Sequence, residues 1–134
     1  MNMLSGMDYG KQINLLHSLV IGPFLVWVGY KLSSNQTVSN IEKMALLVSG
    51  LGVILYHGYK IMKHLQSGHS ILSNYWYQVN ALHFLFIGPL LAWAGYKLQN
   101  GKRVTDLEQT TMLFLGVAAV VYHGYKAYQS FRAQ

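Results

Sequence analysis

The chain states its pattern twice. NLLHSLVIGPFLVWVGYKL at Asn14–Leu32 returns as NALHFLFIGPLLAWAGYKL at Asn80–Leu98, an ungapped offset of 66 residues. LYHGYK at Leu55–Lys60 returns at the same offset as VYHGYK at Val121–Lys126. A tandem repeat constrains a fold before any other pattern does, because whatever one copy forms the other must accommodate. Each copy holds two apolar segments joined by a polar linker. Four helices follow: Lys11–Leu32, Glu42–Leu65, Tyr75–Leu98 and Asp106–Phe131. The linkers SSNQTVSN and QNGKRVTD carry turn residues. Ser39 or Asn40, and Thr105 or Asp106, are placed to cap the helices that follow.

No formal charge falls between Lys11 and Lys31, Lys43 and Lys60, Gln66 and Tyr96, or Glu108 and Lys126. A membrane span needs about 17–25 apolar residues. The second and fourth runs are near the lower limit, and snorkelling by Lys43 and Lys60 extends the second. Only 10% of the 134 residues are charged, against about 25% in soluble domains. A soluble four-helix bundle would display a charged outer face at helical period, which these segments lack. Trp27–Tyr30 and Trp93–Tyr96 lie at one end of their helices, Tyr56, Tyr59, Tyr122 and Tyr125 at the ends of theirs, and Tyr75–Trp76–Tyr77 opens the third. Aromatic side chains favour the headgroup level.

The sequence therefore predicts an all-α, integral membrane four-helix bundle. It is built from two tandem transmembrane hairpins, residues 1–66 and 67–134, related by a pseudo-twofold axis within one structural domain. Both termini and the middle link fall on one side. That side carries Lys11, Lys60, Lys63, Lys126 and Arg132, and the other Lys31, Lys43, Lys97, Lys102 and Arg103. The balance leaves the positive-inside rule nothing to act on. The net charge of +6 is spread over helix ends, which suits anionic lipid headgroups and not nucleic acid. With no cysteine, disulfides and thiolate metal sites are excluded. The start MNMLSGMDYGKQ lacks the basic opening of a signal peptide, and its methionines read as start and filler.

Depth singles out four histidines. His17 lies four residues before Ile21, the midpoint of its uncharged run, or about 6 Å along a helix. His57 lies six residues past the midpoint near Leu51, about 8–9 Å toward the same side, because the second helix runs back. The repeat puts His83 and His123 at matching levels. Asn14 and Asn80 precede histidines by three residues, on nearly the same helix face. The result is a polar layer of His17, His57, His83, His123, Asn14 and Asn80 inside an apolar slab.

Three uses of that layer stay open. Gly50 and Gly116 lie two turns before His57 and His123, where a missing side chain admits either a flat cofactor ring or a neighbouring helix. Haem b takes a histidine on each face of its iron, and a twofold site would pair His17 with His83 or His57 with His123. The four imidazoles would alternatively suit Zn²⁺ or Cu²⁺, although no acid lies at that level to orient them. Imidazole also titrates near neutrality when unperturbed, which permits proton handling. Lastly, the histidines would serve only to hydrogen-bond helices together. Pro23 and Pro89, each after Ile-Gly, fall near mid-span and predict kinks. The spans hold no acid, phosphate loop or nucleophile–base pair, so no enzyme acting on its own is expected. The bilayer and other membrane subunits, or further copies of the chain, are the expected partners.

The residues Asn14, His17, Ile21–Gly22–Pro23, Trp27 and Gly29–Tyr30–Lys31, with YHGYK about 25 residues later, resemble small hypothetical membrane-hairpin proteins of large DNA viruses of algae and protists. The resemblance spans nearly the whole chain twice. It implies a viral or infected-cell membrane and a structural role in a virion membrane. It implies no catalytic residue, and the doubled hairpin departs from the family's single one.

Overall fold

Two capping boxes fix where the second helix of each copy begins. Ser39 Oγ accepts from the Glu42 backbone N–H at 3.3 Å, and the Glu42 carboxylate accepts from the Ser39 N–H at 2.7 Å. Thr105 and Glu108 repeat the pair at the same two distances. Reciprocal bonding of this kind satisfies N–H groups that have no partner inside the helix. The linkers before them turn through positive φ at equivalent positions, Asn35 (53°) and Gly101 (65°). Asparagine and glycine are the residues that tolerate that conformation.

The computed structural model of the chain describes residues 9–70, 72 and 74–132. It contains four long helices: α1 Tyr9–Ser33, α2 Asn40–Gln66, α3 Tyr75–Gln99 and α4 Asp106–Arg132. No strand occurs among the described residues. Asn74 caps α3 by accepting from the Trp76 N–H at 2.9 Å. Helices α1, α2 and α3 are long and apolar enough to cross a membrane. The sequence predicts four such helices. Although α4 matches α2 in length at 27 residues, it opens on Asp106, Glu108, Gln109, Thr110 and Thr111 and is less apolar. The chain's two ends, Met1–Met7 included, lie outside the described residues.

The packed units are not the two copies of the repeat. One compact unit comprises Met1–Thr37 with Thr105–Gln134, and the other Val38–Val104. The first packs α1 on α4, and the second packs α2 on α3. Each unit thus joins the first helix of one copy to the second helix of the other.

Small residues set both contacts. In the first unit a Cβ at Gly116 would stand 2.6 Å from the backbone nitrogen of Val26 and 2.9 Å from the Gly22 carbonyl oxygen. One at Gly29 would meet the Leu113 backbone at 3.0 Å. In the second unit Gly50 faces the Ala92 backbone and the Gly88 carbonyl, and Gly95 faces the Leu47 backbone. Helices with glycine at their contact approach closely, and dispersion over that contact helps hold them together. Around these glycines the core is Leu25, Val28 and Met112 in the first unit, and Leu46, Leu91 and Ala94 in the second.

The prolines act through a change of helical register. His17–Ile21 and His83–Ile87 are π-helical, and each segment ends where Gly22–Pro23 or Gly88–Pro89 begins. The Gly22 N–H donates to the His17 carbonyl, and the Gly88 N–H to the His83 carbonyl, five residues back in each case. Proline supplies no N–H and crowds the preceding turn, so the ladder widens just before it. Such single-turn π segments recur at functional sites. Here each opens on a histidine.

Candidate functional site

In the first unit His17 of α1 and His123 of α4 face each other with ring centroids 4.5 Å apart and planes inclined by 32°. His123 Nδ1 is 2.8 Å from Asn14 Oδ1, and His17 Nδ1 is 2.8 Å from the Ile13 carbonyl oxygen. The second unit repeats the arrangement. His57 and His83 stack at 4.5 Å and 26°. His57 Nδ1 lies 2.7 Å from Asn80 Oδ1, and His83 Nδ1 lies 2.8 Å from the Val79 carbonyl oxygen. Tyr56 and Tyr122 stand edge-on to His57 and His123 at 5.0 and 5.1 Å.

Every one of these partners is an oxygen, and carbonyl and amide oxygens only accept. Each Nδ1 therefore carries the proton, and Nε2 is the basic nitrogen of the neutral ring. Asn80 fixes the assignment independently: its Nδ2 donates to the Trp76 carbonyl at 2.7 Å, which leaves its oxygen for His57. Asn80 is buried and the four histidines are half-buried. Among the described residues no buried side-chain nitrogen or oxygen lacks a hydrogen-bond partner.

The structure brings His17 to His123 and His57 to His83, each pair at one level of its unit. The twofold pairings considered from sequence, His17 with His83 and His57 with His123, are divided between the two units. With ring centroids 4.5 Å apart, neither pair leaves room for an iron between two imidazole nitrogens, as a bis-histidine haem requires. Among the described residues no three His, Cys, Asp or Glu side chains gather as a metal-ligating group. Of the two uses left open for Gly50 and Gly116, the space at each is filled by the backbone of a neighbouring helix.

Sequence reasoning passed over His64. It is buried in the last turn of α2, against the Tyr77 ring, with its Nε2 3.2 Å from the Ser70 carbonyl oxygen. His69 stacks beside it at 5.2 Å. The available signal was the seven-residue spacing from His57, two turns along one face. The repeat hid it, because the equivalent position is Ser130.

No protein-family model, characterised protein or solved structure matches the chain.

Proposed function

We propose that this chain is a small integral membrane protein crossing the bilayer four times, and that it serves as a structural subunit of a membrane assembly. The histidine–asparagine clusters are its internal clasps. The observation that carries this reading is closure. Each cluster satisfies its own Nδ1 donors with Asn14, Asn80 and the Ile13 and Val79 carbonyls. A network that fixes each ring through its Nδ1–H holds helices in one register.

The outer residues support the membrane. Leu19, Leu55, Leu85 and Phe114 are 69%, 74%, 71% and 69% exposed. Large apolar side chains this open, in a chain this poor in charge, suit lipid and not water. Cation–π contacts of Lys31 on Trp27 and Lys97 on Trp93, at 5.0 and 5.4 Å, suit the headgroup level, where amphipathic rings and lysines anchor. The resemblance noted above points to a virion or infected-cell membrane.

Proton handling is the second reading, and the 4.5 Å ring pairs favour it. One experiment separates the readings. The double variant His17→Ala/His83→Ala, which removes one ring from each pair, is compared with the native protein by absorption spectrum, proton flux in liposomes and melting temperature. The structural role expects a lower melting temperature and nothing else. Native flux that the variant loses would replace it with proton handling. A Soret band or stoichiometric bound metal in the native protein would replace it with a cofactor site.

A further inference from the structure

We propose that each unit is a recognition interface between two hairpins of the repeat, and that the partner its faces fit is a second hairpin of the same kind. In this chain that partner is supplied by the other copy. The two copies exchange helices, and the chain is a covalently joined hairpin dimer.

The argument rests on doubled contacts. On one side of each interface stand Asn14, His17, Gly22 and Gly29, or their equivalents Asn80, His83, Gly88 and Gly95. On the other side stand Gly116 and His123, or Gly50 and His57. Every contact is made across copies: Asn14 to His123 and Asn80 to His57, Gly22 to Gly116 and Gly88 to Gly50, Gly29 to Leu113 and Gly95 to Leu47. The faces agree in shape, because the partner helix fills the space above each glycine, with backbone at Gly29, Gly50, Gly95 and Gly116 and with Val120 and Ile54 at Gly22 and Gly88. They agree in chemistry, because an amide oxygen meets an imidazole N–H. Two independent occurrences of one set of contacts define a complementary pair of surfaces. The first helix of a hairpin carries one surface and the second helix carries the other. Each hairpin therefore leaves both surfaces for a partner, and a second hairpin closes both at once. Such an isologous pair is the commonest closed assembly.

The test keeps the full chain. A protease site is inserted after Gly68, where the backbone has open space around it, and an affinity tag is placed on the first half. After cleavage in detergent the two halves should co-purify, because each unit contains one helix from each half. The variants N14C/H123C and H57C/N80C, at positions in contact across the copies and in a chain with no native cysteine, should be bridged by a short bifunctional methanethiosulfonate into disulfide links that join the cut halves on a non-reducing gel. Uncut, the same variants should run at the mass of one chain. Gly50→Leu combined with Gly116→Leu should release the halves after cleavage. Separation of the native halves on cutting would overturn the proposal. So would disulfides that never join the halves, or that form only between two chains.

Discussion

His57 Nδ1–H donates to Asn80 Oδ1 across the α2–α3 contact at 2.7 Å, while the same amide's Nδ2 donates to the Trp76 carbonyl. Asn80 thus spends both ends of its side chain on fixing one ring. That ring in turn stacks on His83, so a two-helix contact is keyed by three polar side chains in an apolar setting. Asn14, His123 and His17 make the equivalent key in the other unit.

A double-mutant cycle should detect that key. Asn80→Ala and His57→Phe, separately and together, should show a coupling of about 0.6 kcal/mol, and up to about 1.7, the range found between helices in a membrane. Asn14→Ala with His123→Phe should behave alike. Thermal unfolding in a fixed detergent measures both. Strictly additive losses would mean that the bond contributes nothing specific to the pairing.

Glycine position should matter more than glycine number. A Cβ at Gly50 would drive into the Ala92 backbone, whereas one at Gly52, two residues on, has nothing within 4 Å. Gly50→Ala should cost about 1–3 kcal/mol through overpacking. Gly52→Ala should be neutral or stabilise by up to about 1 kcal/mol, through helix propensity. Melting temperatures of the two single variants decide it, and equal effects would contradict the close approach.

Helix starts offer a matched comparison. Ser39→Ala and Thr105→Ala each remove a capping box that the repeat placed identically. Each should lower stability by about 1 kcal/mol, and the two losses should add, because the caps belong to different units. Denaturant or thermal titration of the single and double variants would reveal any departure.

Membrane residence has a direct assay. If the three long apolar helices cross the bilayer, alkaline carbonate should leave the protein with the membrane pellet. Accessibility reporters joined to the two ends of the sequence should label from the same side if α4 also crosses. Opposite-side labelling would leave α4, the least apolar helix, outside the bilayer.

Much of this protein is legible along the chain. The uncharged apolar runs fix four helices to within a few residues. Ser39 and Thr105 begin two of them because local side-chain bonds need no tertiary partner. Helical rise alone puts His17 with His123, and His57 with His83, at one level. The π segments were less legible: Pro23 and Pro89 announce a disturbed ladder, but a kink and a widened turn both answer a missing N–H. Helix pairing was not legible at all. Gly50 and Gly116 are the same residue in the same setting, as are His57 and His123, so the sequence offers α1 two equivalent partners. A short linker argues for the neighbour, α2, yet the packed unit joins α1 to α4. Only the tertiary structure decides between identical faces, because that choice depends on how the whole chain can close both contacts together, and no local pattern carries that information.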